Sequence, residues 1–344
     1  MIRFECDYAE GAHPRVLELI TETNFEQHPG YGTDIYCEKA RGIIREMCGA
    51  PEAGVHFLVG GTQANTTVIA AALRPYQSVI SAVSGHINGH ETGAVEAAGH
   101  KVIPVESADG KINAEQIEEV YDDYMSDSNR EHVTMPAMVY ISNPMENGTV
   151  YTKKELEKIS AACRKKGLFL FMDGARLAYG LTAEGNDMSL KDIAKLCDVF
   201  YIGGTKCGAL FGEAVVITDK GMDRDFRYSI KQRGGMLAKG RLLGLQFIAL
   251  LEGGLYFGLA ANANRLAMKI KNAVKSKGWE FLYDSDTNQQ FPIIPDEKLE
   301  KLGKKYTYTF IKKIDKDHTA VRFCTSWATK EEDVAALVKD IETV

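Results

Sequence analysis

The 344-residue sequence predicts an α/β fold: a large domain with a mainly parallel seven-stranded sheet between helices, then a smaller α+β C-terminal domain. Three observations predict it. Short apolar runs alternate with stretches of helical periodicity. Several of those runs lack the polar alternation of a half-exposed strand, as expected for strands covered on both faces. After about Gly254 the pattern changes to a polar, proline-containing stretch, one strand and a final helix.

The candidate strands, in order, are VHFLV from Val55, SVISAV from Ser78, KVIPV from Lys101, AMVYI from Ala137, LFLFM from Leu168, DVFYI from Asp198 and EAVVI from Glu213. Between the fifth and its predecessor lies TKKELEKISAACRKKG. Thr152 and Glu155 have capping-box spacing, Leu156, Ile159 and Cys163 share one face, and Gly167 stops the helix. The apolar run LLGLQFIALLEGGLYFGLAA from Leu242 is interrupted by Glu252 and glycines, so a buried helix is expected rather than a membrane span. Residues 1–254 are read as the large domain with its N-terminal segment, and 255–344 as the small one. The small domain holds a helix near Asn264–Lys275, the stretch DSDTNQQFPIIP, a strand TAVRFCTS, and a helix from Thr329. There Thr329 and Glu332 repeat the capping-box spacing, and Val334, Leu337, Val338 and Ile341 form a stripe.

A net charge of −6 and a pI near 5.8 argue against a nucleic-acid or anionic-membrane binder. The seven cysteines are scattered without a CxxC pair, which reads as reduced thiols in a cytoplasmic protein, not a disulfide frame or zinc site. The N-terminal MIRFECDYAEG is charged where a signal peptide needs an apolar run. No metal site is expected.

Ligands of an open parallel sheet bind beyond the carboxyl ends of its strands. Three segments point at that rim. GGTQAN follows the first strand: Gly60 and Gly61 permit close backbone approach, and the helix beginning at Thr62 offers free N–H groups to an anion. By itself this is also an ordinary strand-to-helix turn. Asp173 ends LFLFM, where a carboxylate can equally cap the next helix. Lys206 lies between FYIGGT and CGALFG, in surroundings that should bury it. A buried lysine sheds its proton and becomes a nucleophilic amine fit for a Schiff base. An anion cradle, a carboxylate and such a lysine on one rim suit one cofactor, pyridoxal 5′-phosphate.

FLVGGTQAN, GHINGHETGA, FMDGARLAYG, GGTKCGALFGEAVV and RGGMLAKG resemble the threonine aldolase/β-eliminating lyase family of fold-type-I pyridoxal-phosphate enzymes, in the aspartate aminotransferase-like superfamily. The match runs in order from about Phe4 to Thr325. The resemblance implies that Gly61 and Thr62 hold the phosphate, with Asn65 near it. It implies that His86 stacks on the ring, Asp173 faces the pyridine nitrogen, Arg176 orients cofactor or substrate, and Lys206 bonds to the cofactor. Arg322 is then the partner of a substrate carboxylate, a job suited to its fork geometry, and Cys6 stands near the substrate. Tyr36 and either Lys231 or Arg233 match residues lent across a subunit interface, implying a homodimer or homotetramer with shared sites. The implied reaction cleaves a β-hydroxy-α-amino acid, L-threonine or L-allo-threonine, to glycine and an aldehyde.

Two departures bear on that reaction. Cys6–Asp7 stands where many family members have serine before the aspartate. SNPMENGTV offers Glu146 where many carry a histidine, which leaves His86, Glu146 or a water as the base. β-Elimination and transamination use the same scaffold and remain alternatives. A cofactor carrier without turnover is disfavoured by Asp173, Lys206 and Arg322 occurring together. A nucleotide-binding oxidoreductase leaves Lys206 unexplained and lacks a GxGxxG fingerprint.

Overall fold

Each of the seven apolar runs forms a strand, and all seven join one sheet in the computed structural model, which describes residues 1–344. They are β1 (Gly54–Leu58), β2 (Gln77–Ala82), β3 (Lys101–Val105), β4 (Met135–Ser142), β5 (Phe169–Asp173), β6 (Val199–Gly203) and β7 (Glu213–Ile217). Their spatial order is β1-β7-β6-β5-β4-β2-β3. β7 alone is antiparallel, to both β1 and β6. The Gly204–Gly212 link between β6 and β7 is too short for a parallel crossover, so the chain must reverse there. All residues of β6 and β7 are buried, which is why these runs are apolar throughout.

Local signals position the covering helices. Helix Lys153–Lys166 starts on a complete Thr152–Glu155 capping box and ends at Gly167 in the left-handed conformation. The long apolar segment is two helices, Arg241–Leu251 and Leu255–Ser276. Gly253 and Gly254, at φ of 72° and 78°, break it. The segment Arg241–Ser276 is long and apolar enough to cross a membrane by length and composition alone, yet Leu243 to Leu251 are all buried within the protein.

A second sheet follows: β8 (Gln289–Gln290), β9 (Ile293–Pro295), β10 (Thr309–Lys313) and β11 (His318–Cys324), with β11 pairing the other three. Helix Leu255–Ser276 passes between two cores. Ala260 and Ala263 pack in the core of the large sheet, whereas Leu266, Ile270 and Val274 join Val334, Leu337 and Ile341 of the last helix. That last helix, Glu331–Thr343, has Lys330 at its N-cap. The expected Thr329–Glu332 box does not form, because Thr329 Oγ1 accepts the Ser326 N–H instead, at 2.7 Å. The chain's start crosses to this smaller unit. Ile2–Arg3 pairs with Tyr306–Thr307, and the Phe4 ring lies 6.2 Å from Tyr306 and 6.3 Å from Phe323.

Candidate active site

A cleft of about 290 Å³ opens at the carboxyl rim of the large sheet. Gly60, Gly61 and Thr62 reach it from the end of β1, and His86 from the turn after β2. Ser142 and Glu146 reach it from β4, Asp173 and Arg176 from β5, and Lys206 from the turn after β6. Two glycines let the ends of β5 and β6 approach. A Cβ on Gly174 would lie 1.8 Å from the Tyr201 carbonyl oxygen, and one on Gly203 2.5 Å from that of Ala175. Gly174→Ala should therefore push β5 from β6 and cost about 1–3 kcal/mol, as overpacking does. An unchanged urea midpoint would contradict that closeness.

Asp173 is 4 % exposed and heavily hydrogen-bonded. Tyr140 Oη donates to Oδ2 at 2.5 Å, Asn65 Nδ2 to Oδ2 at 3.1 Å, and the Ala175 N–H to Oδ1 at 2.9 Å. The Tyr201 hydroxyl is close to the same carboxyl without completing a hydrogen bond, and has no other partner. Burial alone would raise the pKa of Asp173, but these donors and the positive His86 hold it below the usual value. The group is a charged carboxylate that can accept one more proton donor.

Lys206 has the opposite bias. Burial and the nearby Arg176 charge lower its pKa, and outweigh the pull of Asp7, Asp173 and Glu213. Its backbone is fixed by Tyr179 Oη, which donates to the Lys206 carbonyl at 2.6 Å.

His86 Nδ1 donates to Glu91 Oε1 at 2.8 Å, and Asn65 Nδ2 donates to the same oxygen at 2.7 Å. Asn65, expected beside a phosphate, instead ties Asp173 to Glu91, because its position on helix Gly61–Ala72 is one turn beyond the free N–H groups. Burial opposes the His86 proton, yet the bond to Glu91 and the Asp173 charge raise its pKa overall. Glu146 Oε1 accepts the His86 backbone N–H at 2.9 Å and the Ser142 hydroxyl at 2.8 Å, while its Oε2 has no partner. Burial, reinforced by Asp173, raises the Glu146 pKa.

Arg176 is locked. Its Nε and Nη2 donate to Asp7 Oδ2 and Oδ1 at 2.7 and 3.0 Å, and Asn288 Nδ2 also donates to Asp7, at 2.9 Å. Three other expected residues do not line the cleft. Arg322 donates to Gln289 Oε1 at 3.0 Å and to the Glu5 carbonyl at 2.8 Å, leaving its buried Nε free. Cys6 is half-buried beside the cleft, and Tyr8 lines it instead. Tyr36 points elsewhere within its own subunit, donating to Glu26 at 2.5 Å and packing on His28. Lys231 Nζ lies 4.8 Å above the Tyr31 ring, and Arg233 Nε is buried without a partner.

The sequence reading missed Tyr8, Tyr140, Ser142, Tyr201, Thr205 and Glu213. A signal existed for some: Tyr140 and Tyr201 are polar-tipped residues in otherwise apolar runs, and Glu213 is an acid opening a strand.

The residue set fits pyridoxal phosphate. Helix Gly61–Ala72 has no side-chain cap at Gly60, so its first N–H groups are free for a phosphate. Asp173 is charged and Lys206 biased toward its neutral form. The unpartnered Tyr201 Oη lies 3.1 Å from where a Gly61 Cβ would be, beside that cradle.

The family model for the β-eliminating lyases matches residues 16–296. A low specificity L-threonine aldolase from Pseudomonas sp. (strain NCIMB 10558) is 31 % identical over 99 % of this chain and 97 % of its own. The structure of a Leishmania major threonine aldolase shares 43 % identity and a TM-score of 0.97, covering 100 % of this chain and 99 % of that one. A mutant Thermus thermophilus aspartate aminotransferase, 15 % identical with a TM-score of 0.72, covers 100 % of this chain and 91 % of its own and shares the fold.

Proposed function

From its membership of the β-eliminating lyase family, whose enzymes depend on pyridoxal phosphate, we propose that this chain is an aldolase cleaving L-threonine or L-allo-threonine to glycine and acetaldehyde. The observation that carries the reading is the convergence of an uncapped helix start, a charged Asp173 and a proton-poor Lys206 in one cleft.

When bound, the cofactor supplies an electron sink. The residues do the rest. N–H groups of Gly61 and Thr62 hold the phosphate. Asp173, held in place by Tyr140 and Asn65, would hold the protonated ring nitrogen. Lys206, its amine biased toward the neutral form, would bond to the cofactor aldehyde. His86, oriented by Glu91, would pack on the ring. Arg322 takes the substrate carboxylate by exchanging its contact with Gln289. Glu146 accepts the β-hydroxyl proton. Its Oε2 is unpartnered, and a carboxyl raised toward neutrality is a better base than an ordinary one.

Two experiments test this. Purified protein supplied with the cofactor should convert L-threonine to acetaldehyde and glycine, and borohydride should fix the cofactor on Lys206. Release of pyruvate and ammonia from serine in place of that cleavage would favour the eliminating alternative. Glu146→Gln should lower kcat on threonine by roughly 10²–10⁴-fold, the usual weight of a general base. It should leave exchange of the glycine α-proton, which needs no hydroxyl base, within about threefold. Equal loss in both assays would remove Glu146 from that role.

The same reading includes a cytoplasmic location and a homodimer or homotetramer with Tyr36 and Lys231 or Arg233 at the subunit interface. The exposed apolar side chains Leu17, Phe25 and Ile35 support such an interface. Sedimentation at monomer mass would oppose it.

A further inference from the structure

Glu213 is an acid placed where a negative charge is out of place. Because β7 is antiparallel, its first residue lies at the rim where β1 and β6 end. Glu213 pairs with Leu58 on one side and Gly203 on the other. The Gly60–Thr62 turn begins two residues beyond Leu58, and Lys206 follows three beyond Gly203. The Glu213 side chain lines the cleft and the residue is 3 % exposed. Its Oε1 accepts the Thr205 hydroxyl at 2.8 Å. Its Oε2 is buried and has no partner.

A carboxylate held this deeply, with the Thr205 hydroxyl as its only side-chain hydrogen bond and no ion pair, is favoured as its neutral acid. A charged Glu213 would also repel the phosphate that the neighbouring turn is built to hold. We propose that Glu213 is a protonated carboxylic acid whose Oε2–H donates to the phosphate of bound pyridoxal phosphate, so that cofactor affinity falls when this proton is lost. The inference rests on the cofactor reading above.

The groups that face Glu213 agree. Lys206 and Thr205 approach from the turn after β6, Asp173 from the end of β5, Tyr201 from β6 and Tyr256 from helix Leu255–Ser276. Burial is the largest influence on its carboxyl. The Thr205 hydroxyl, any positive charge on Lys206 and the Gly204 N–H oppose it, Asp173 reinforces it, and the pKa is pushed up to about 8. A phosphate dianion alongside would raise it further.

The experiment measures dissociation constants of cofactor-free wild type, Glu213→Gln and Glu213→Ala at pH 7 and pH 9.5. The probes are pyridoxal phosphate and pyridoxal, which lacks the phosphate. Glu213→Gln keeps a neutral donor at every pH. It should match wild type at pH 7 and bind pyridoxal phosphate about tenfold or more tightly than wild type at pH 9.5, a factor of ten per pH unit above the acid's pKa. Glu213→Ala should bind it roughly tenfold more weakly at pH 7, as expected on losing a hydrogen bond to an anion. Pyridoxal should bind all three alike. The proposal is overturned if wild type and Glu213→Gln have the same pH dependence, or if both probes shift equally, which would put Glu213 on the lysine instead. A wild type that binds pyridoxal phosphate at neither pH, and gains no absorbance from it, would overturn the cofactor reading itself.

Discussion

Lys206→Ala should leave the protein colourless after addition of pyridoxal phosphate, with no label fixed by borohydride. Its kcat for threonine cleavage should drop by at least ~10⁴-fold, on the scale of what a positioned nucleophile contributes. The expectation follows from position as much as from chemistry. Lys206 is the one lysine among the residues lining the cleft. Its carbonyl is pinned by Tyr179, and burial and the Arg176 charge lower the pKa of its amine. Lys206→Arg should be no better, because a guanidinium stays protonated. Peptide mapping of the reduced protein decides the matter: a label on any other lysine would remove the central premise.

The largest loss of stability is expected at Asp7. Breaking a buried ion pair by removing one partner costs about 3–5 kcal/mol. Asp7 is 0 % exposed and carries the bidentate bond to Arg176. Asp7→Ala strands that guanidinium beside Lys206, so urea unfolding should shift by that amount and the cofactor should bind more weakly. Burial alone would raise the Asp7 carboxyl, but Arg176, Lys206 and the Asn288 amide together hold it at about 2, against a usual 3.8. A depressed folded-state pKa gives stability that is present above about pH 4 and lost as pH falls from there toward 2. The amount is about 2 kcal/mol. Asp7→Asn should flatten this part of the acid-stability curve. An unchanged slope would show that the pair is not buried in solution.

Most strands of the large sheet were legible because double burial writes continuous apolar runs; the edge strand β3, with only Val102 buried, was legible from its short apolar run alone, and Thr152 and Gly167 bounded a helix because capping is local chemistry. Glu213 looked like part of an ordinary strand because nothing in EAVVI says that the chain has reversed. That follows from the short Gly204–Gly212 link. The Thr329–Glu332 spacing was the same signal as Thr152–Glu155, yet Ser326 captured the hydroxyl first. Asp7 and Arg176 are 169 positions apart, and Asp7 and Asn288 are 281 apart, so no window of sequence joins them. Arg322 was found by its resemblance to a family position, and its bonds to Gln289 and the Glu5 carbonyl are equally remote in sequence.

The way residues 2–8 are threaded has a consequence for biosynthesis. Phe4 is clasped by aromatic rings at 306 and 323, Asp7 by an amide at 288, and Tyr8 stands at the cleft mouth. Phe4 therefore gains its ring partners only after residues 306 and 323 are made, and Asp7 its amide only after residue 288. A nascent chain halted before Asn288 should hold its large sheet and still leave the Phe4 ring and the Asn288 side of Asp7 without partners, so this edge of the cleft is completed only after the sheet.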